Sequence, residues 1–157
     1  MKIGLGFDIH KFSKKRKLYL GGIEIPYTKG LLGHSDGDVL LHAICDGILG
    51  ALGKPDIGCY FPDKDSRFKG IRSTEILKEV LKIMERERFK IKNVDIVLLC
   101  EEPKLSPFYE NLRENLSNLL SIEKENIGLK AKTFEKLGEI GKGKAIACMA
   151  IVCLDKI

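Results

Sequence analysis

The sequence predicts a single-domain α+β fold in which helices cover one face of a mixed β-sheet. Three observations support this prediction. The chain has 157 residues, the length of one ordinary domain. Its apolar residues follow strand-like spacing in some segments and helical spacing in others. The resulting order of elements, ββ-α-α-β-α-β-β, is typical of an α+β sheet.

The first half of the chain is predicted to form β-structure and then one long helix. Residues 2–8 alternate apolar and small side chains, and residues 17–25 contain strand-like segments. In residues 36–52 the apolar positions recur at helical spacing, and Gly53 is placed to end that helix. Residues 54–71 mix prolines, glycines and aspartates without a regular period, so we expect a structured loop with a functional role.

The second half is predicted to contain two helices and three strands. The helices cover residues 74–88 and 106–120, and the strands cover residues 91–100, 127–133 and 144–154. Ser73 is expected to cap the first of these helices, while Ser106 followed by a proline is the usual start of the second.

Composition and charge argue against several classes of function. The net charge is +5, but the basic residues are scattered and form no stripe with aromatic residues, so we expect a small phosphorylated ligand and no nucleic acid. No apolar run approaches the ~20 residues that a membrane span needs. Five cysteines without a C-x-x-C pair are interpreted as reduced packing residues. The first residues leave no room for a signal peptide, so a cytoplasmic location is expected.

The histidines point to a metal site. All three, His10, His34 and His42, lie within the first 42 residues. Asp8 and His10 are two apart on a predicted strand, so their side chains leave the same face roughly 6–7 Å apart. A helix packed on the sheet could aim His42 at the end of that strand. Two histidines, one carboxylate and an open fourth position form the arrangement of a catalytic zinc site. Taken singly, His42 could be a core histidine and Asp8 a turn cap, but the combination favours the metal site.

Three aspartates near His42 have structural and functional interpretations. Asp36 is expected to cap the helix, since a carboxylate suits the positive end of the helix dipole. Asp38 and Asp46 lie four residues before and after His42, on one helical stripe, where a carboxylate could orient the imidazole. Plain solvation is the alternative for Asp46.

Two later segments are candidate ligand contacts. The chain has no G-x-x-x-x-G-K-[ST] loop and no G-x-G-x-x-G turn, so any phosphate must be held by metals and lysines. Lys104 lies between a strand and a capped helix, where free backbone N–H groups could also meet a nucleotide. After the next strand, Thr133 could bond a phosphate and Glu135 could hold Mg²⁺. Each signal alone also fits an ordinary loop.

These motifs resemble the family of 2-C-methyl-D-erythritol 2,4-cyclodiphosphate synthases. The segment of residues 34–43, HSDGDVLLHA, is similar to the family signature, and GFDIH at residues 6–10 precedes it at the family's distance. Further matches follow in order along nearly the whole chain, in DIG, FPD, FKG, NVD, PK, T-x-EKLG and IA.

The resemblance implies a reaction and an assembly. Members convert 4-diphosphocytidyl-2-C-methyl-D-erythritol 2-phosphate to 2-C-methyl-D-erythritol 2,4-cyclodiphosphate and release CMP, in the non-mevalonate pathway of isoprenoid precursor biosynthesis. They are homotrimers around a three-fold axis, with active sites between subunits.

The resemblance also implies site residues. Zinc, one ion per subunit, is expected on Asp8, His10 and His42, and a second cation, Mg²⁺ or Mn²⁺, on Glu135. His34 and Thr133 are expected to stabilise the transition state. The residues expected to contact the substrate are Asp8, His10, His34, Ser35, Asp56, Ile57, Gly58, Phe61, Pro62, Asp63, Lys64, Asp65, Cys100, Glu101, Glu102, Pro103, Lys104, Leu105, Ser106, Lys132, Thr133, Phe134, Glu135, Glu139 and Lys142.

The sequence departs from many family members around and after Thr133. Lys132 and Phe134 stand where threonines are frequent, and Glu139 and Lys142 stand where an aromatic residue and an arginine often line a cavity on the trimer axis. Catalysis is expected to survive, but Glu139 is expected to repel an isoprenoid diphosphate in that cavity.

Two other functions fit part of the pattern. Two histidines and a carboxylate also hold Fe(II) in oxygenases, although there the usual order is H-x-D. A trimer that only binds a cytidine nucleotide as a sensor would bind without turnover.

Overall fold

A computed structural model describes residues 1–62 and 64–157 of the chain. Its strands are Lys2–Ser13 (β1), Leu18–Leu20 (β2), Ile23–Ile25 (β3), Gly30–Leu31 (β4), Phe89–Leu99 (β5), Ile127–Lys132 (β6) and Ala145–Lys156 (β7). The described residues form a main sheet in the order β4-β1-β7-β5-β6 and a separate β2-β3 hairpin. The predicted mixed sheet is confirmed, because β5 runs parallel to β6 whereas β1 and β5 both run antiparallel to β7.

The described residues contain five α-helices, and the three longest pack on one face of this sheet. The five helices are Val39–Ala51 (α1), Ile57–Tyr60 (α2), Ser73–Arg86 (α3), Tyr109–Leu120 (α4) and Gly138–Gly141 (α5). Helix α1 lies against β1 and β7, α3 lies against α1, and α4 lies against β6. Leucine, isoleucine and valine side chains of α1 and of the inner strands form one buried core. None of the helices in the described residues combines the length and the apolar character that a membrane span requires.

Two glycines set how closely α1 approaches β1. A Cβ on Gly6 would lie 1.8 Å from the carbonyl oxygen of Ala43, and a Cβ on Gly4 would lie 2.0 Å from that of Gly47. Two residues along a strand cover about 6.7 Å, and four residues along a helix cover about 6 Å. Successive inward residues of β1 therefore meet successive turns of α1. The next inward position on β1 after Gly6 is Asp8, and it meets His42 on the helix.

The opposite face of the sheet is exposed and apolar. Residues alternate along β1, so the neighbours of the inward glycines point away from the helices. Large hydrophobic side chains of β1 and β7 are exposed there, namely Ile3, Leu5, Phe7, Ile9, Met149 and Ile151. Leu5 pairs with Ile151 and Phe7 with Met149 in the sheet, so the patch is continuous.

The structure corrects several predicted boundaries. Helix α1 begins at Val39 and not at residue 36, because Gly37 has a φ of +77° that interrupts helical backbone. Residues 17–25 form the hairpin outside the main sheet. The helix predicted from residue 106 begins as a 3-10 turn, and the one predicted to residue 88 ends two residues earlier. Strand β4 and helices α2 and α5 were not predicted, because two to four residues are too short to show a period.

Candidate metal centre

Asp8, His10 and His42 converge, as the sequence predicted, but they do so beside the middle of β1, because this strand continues to Ser13. The Oδ2 atom of Asp8 lies 2.8 Å from Nδ1 of His42 and 3.0 Å from Nε2 of His10. The two ring nitrogens lie 3.4 Å apart. Within residues 1–62 and 64–157, these are the three side chains that gather ligand atoms in one place.

The outer ring nitrogens of both histidines lie beside oxygen atoms that can accept their protons. Nδ1 of His10 lies 2.6 Å from the carbonyl oxygen of Leu32, so it donates and leaves the lone pair of Nε2 facing the cluster. Nε2 of His42 lies 2.9 Å from Oγ of Ser73 and 3.2 Å from Oγ of Ser35, and these hydroxyl oxygens can accept its proton, which would leave Nδ1 free to bind a metal. Two lone pairs and a carboxylate can therefore point at one another.

This donor set fits a divalent metal. Tetrahedral zinc with ligand distances of about 2.0–2.1 Å separates neighbouring ligand atoms by about 3.3 Å, close to the spacing of the three atoms here. The electrostatics also favour a cation. Burial opposes ionisation of Asp8, but its interactions with the His10 and His42 rings outweigh that effect and hold the pKa of this carboxyl well below its usual value. Burial favours a neutral His10, yet the hydrogen bond to Asp8 raises its pKa.

The cluster forms one wall of a cavity of about 260 Å³. Of the predicted substrate-binding residues, the cavity brings together Asp8, His10, His34, Ser35, Ile57, Gly58 and Phe61, beside His42. Phe68 also lines it, with its ring against that of Phe61 at 5.2 Å between centroids. Four other predicted contacts belong to the same segment but do not line the cavity, namely Asp56, Pro62, Lys64 and Asp65. Asp63 lies outside the described residues.

Most of the remaining predicted residues form a second region. Residues 100–106 and 132–135 are adjacent, because the N–H of Cys100 donates to the carbonyl oxygen of Lys132 and the N–H of Phe134 donates to Glu101. Thr133 donates to Glu135 over 2.8 Å, and both side chains are exposed. Among the described residues, none of this region lines the metal cavity.

In this second region Leu105 is buried, whereas Lys104 and Ser106 are exposed, and Ser106 begins a 3-10 turn. The peptide bond between Glu102 and Pro103 is cis.

Glu139, another predicted contact, pairs with Lys144 at 2.9 Å and with Lys142 at 3.4 Å. Its expected repulsion of an isoprenoid diphosphate stays a prediction.

The three aspartates near His42 differ from the expectation. Asp38, and not Asp36, caps α1, and its buried carboxylate accepts from the N–H groups of Leu41, Gly21 and Gly22 instead of orienting the imidazole. Asp46 accepts from the N–H of Ile57 at 2.8 Å, and burial raises its pKa. It therefore holds the beginning of α2.

Asp36 accepts a hydrogen bond from the hydroxyl of Ser73, the first residue of α3. The sequence interpretation also missed Arg16, whose guanidinium donates to the carbonyl oxygens of Gly33 and Ser35 and braces the loop that carries His34. Arg16 lies in a run of basic residues, which is typical of a solvated turn. No local sequence pattern distinguishes Arg16 from its solvated basic neighbours.

Comparison with known proteins identifies the family. The sequence profile of the YgbB family matches residues 1–155. The chain belongs to the YgbB family. A curated member from Clostridium botulinum (strain Alaska E43 / Type E3), named 2-C-methyl-D-erythritol 2,4-cyclodiphosphate synthase, is 51% identical over 156 residues, which cover 99% of each chain.

Solved structures of YgbB-family relatives have the same fold. One, titled as a 2C-methyl-D-erythritol-2,4-cyclodiphosphate synthase in a CDP-bound form, matches with a TM-score of 0.91 and 40% identity over 98% of this chain and 100% of that one. A CDP complex of Plasmodium falciparum IspF matches with a TM-score of 0.86 and 40% identity, covering 99% of this chain and 96% of that one.

Proposed function

We propose that this protein is a 2-C-methyl-D-erythritol 2,4-cyclodiphosphate synthase of the non-mevalonate pathway of isoprenoid precursor biosynthesis. Its substrate is 4-diphosphocytidyl-2-C-methyl-D-erythritol 2-phosphate, and its products are the cyclic diphosphate and CMP. One observation carries this conclusion. The Asp8, His10 and His42 cluster lines a cavity in a chain that is about half identical to synthases of this name.

The reaction is an intramolecular displacement at phosphorus. An oxygen of the 2-phosphate forms a bond to the β-phosphorus, and the bond from that phosphorus to the bridging oxygen breaks to release CMP. Because the two reacting groups belong to one molecule, holding it in the bent geometry removes much of the entropic barrier. The site needs little acid–base machinery. Its main task is to offset the repulsion between phosphates.

His34 and Ser35 supply donors to this task from the cavity wall. Nε2 of His34 is buried and has no hydrogen-bond partner among the described residues. Buried polar atoms normally find a partner, so this nitrogen is suited to a phosphate oxygen of the substrate. We assign Thr133 the matching role beside the nucleotide, and residues 100–106 the nucleotide pocket.

Two cations complete the proposed site. Asp8, His10 and His42 would hold zinc, one ion per chain, and Glu135 would hold Mg²⁺ or Mn²⁺. Bound divalent cations neutralise charge that moves onto the leaving phosphate. The single-carboxylate, exposed position of Glu135 suits a hard cation that keeps several waters and is shared with substrate phosphates.

The exposed face of the sheet supports a homotrimer. An apolar patch that runs continuously across β1 and β7 marks an interaction surface. The separation of the metal cavity from residues 100–106 and 132–135 within one chain supports an active site shared between subunits. Sedimentation equilibrium is expected to give a species of three chains, and a monomer would contradict this assembly. A cytoplasmic location stays a prediction.

A ³¹P NMR assay tests the reaction. Purified protein with zinc and Mg²⁺ is expected to convert the cytidylylated 2-phosphate into CMP and a cyclic diphosphate. Asp8→Asn is expected to abolish conversion, because the cluster loses its charge. Glu79→Gln, which removes the charge of an exposed carboxylate on α3, is the control and should retain full activity. Binding of the substrate without CMP release would overturn the proposal in favour of a sensor.

A further inference from the structure

His42 lies between the metal cluster and two serine hydroxyls. Its Nδ1 atom faces Asp8, while Nε2 lies 2.9 Å from Oγ of Ser73 and 3.2 Å from Oγ of Ser35. A ring nitrogen that binds a metal must be unprotonated, so the other one carries the proton. The tautomer of His42 therefore depends on whether the serine oxygens accept or donate.

Only one orientation of the Ser73 hydroxyl allows hydrogen bonds to both Asp36 and His42. This residue is fully buried, and its hydroxyl makes a short hydrogen bond to Oδ1 of Asp36. A carboxylate accepts only, so the single hydroxyl proton of Ser73 is donated to Asp36. The Ser73 oxygen then accepts the proton of His42 Nε2. Ser73 thus excludes the tautomer that would place a proton on Nδ1.

Asp36 is itself held in one orientation by four donors. Its Oδ1 atom accepts from the Ser73 hydroxyl and from the N–H of Asp38, which is 3.3 Å away. Its Oδ2 atom accepts from Nε of Arg72 and from the N–H of Ser73, both at 3.1 Å. Since every donor points at the carboxylate, rotation of Asp36 would break several hydrogen bonds at once.

We propose that Asp36 and Ser73 are positioning residues for the metal centre. They form a relay, Asp36 to Ser73 to His42, that fixes the Nε2-protonated tautomer and aims Nδ1 at Asp8 and His10. The relay rests on the proposed metal centre and does not depend on which reaction the site catalyses. It also ties the first turn of α3 to the metal-binding turn of α1.

The test compares Ser73→Ala with Thr74→Ala, the next residue of the same helical turn, by competition for Zn²⁺ with a chromophoric chelator. Loss of a group that orients a metal-binding histidine costs 10–100-fold in affinity, so Ser73→Ala should weaken zinc binding by at least about tenfold. Thr74→Ala should stay within about twofold of wild type, and Ser73→Thr, which keeps the hydroxyl, should recover most of the loss.

Two further measurements separate this role from simple stabilisation. Thermal unfolding of the metal-free variants reports stability alone, and a lower midpoint in Ser73→Ala with unchanged zinc affinity would overturn the relay. In the zinc-loaded wild type, ¹⁵N NMR of the His42 ring should show a proton on Nε2 and none on Nδ1. The opposite tautomer would overturn the relay even if Ser73→Ala fails to fold. Absence of zinc binding by the wild type would instead overturn the metal centre, and the relay with it.

Discussion

Replacing Gly6 with alanine should damage both the fold and the metal centre. The new Cβ would lie 1.8 Å from the carbonyl oxygen of Ala43 and 2.6 Å from the N of Gly47. Both are backbone atoms of α1, so no side chain can rotate away. An ordinary contact begins at 3.4 Å, so the helix must move by about 1.6 Å. Overpacking of this kind costs about 1–3 kcal/mol or more.

The same displacement reaches the metal ligands. His42 precedes Ala43, whereas Asp8 stays on the strand, so a shift of about 1.6 Å would separate them. Metal sites tolerate changes in ligand distance of only about 0.2 Å. We therefore expect Gly6→Ala to lower the free energy of unfolding by at least about 1 kcal/mol and to weaken zinc binding.

Gly50→Ala is the matched control on α1. Its Cβ would meet the carbonyl oxygen of Leu5 at 3.8 Å, an ordinary contact, and alanine favours a helix over glycine by about 0.8–1.0 kcal/mol. This variant should be at least as stable as wild type and bind zinc normally. Urea unfolding of the metal-free proteins and zinc titration give the two quantities. A Gly6→Ala variant with wild-type stability and zinc affinity would refute the proposed close approach of α1 to β1.

Three further substitutions separate the roles of the site residues. His42→Ala should lose zinc and nearly all turnover, because His42 is one of three protein ligands, and stoichiometric zinc in the purified variant would count against the assignment. Glu135→Gln should keep zinc but weaken the response of turnover to Mg²⁺, since an amide lacks the charge that a hard cation favours. Exposed Glu79→Gln is the control. An unchanged magnesium titration of Glu135→Gln would exclude Glu135 as the ligand of the second cation. His34→Ala should keep zinc and lose about 10²–10³-fold in kcat, as expected for one phosphate donor. A kcat within threefold of wild type would make His34 a bystander.

The fold and the metal ligands could be predicted because their signals are local. Alternation along β1 and helical spacing in α1 identify their inward faces, and Asp8, His10 and His42 lie on those faces. Gly4 and Gly6 also lie two apart on the same inward face, but their closeness to α1 depends on packing that no strand pattern reveals.

The roles of the aspartates could not be read from spacing alone. Asp36 and Asp38 both precede the helix, and either could cap it. The choice depends on the left-handed backbone of Gly37, which turns Asp36 towards α3. Ser73 lies 31 residues from His42 in the sequence, so only the packing of α3 against α1 brings its hydroxyl to the imidazole.

The most direct test of the metal centre is anomalous diffraction at the zinc absorption edge, from crystals of the zinc-loaded protein. We expect one strong peak per chain, about 2.0–2.2 Å from Oδ2 of Asp8, Nε2 of His10 and Nδ1 of His42. A peak elsewhere, or one bound through Nε2 of His42, would contradict the account of how β1 and α1 build this site.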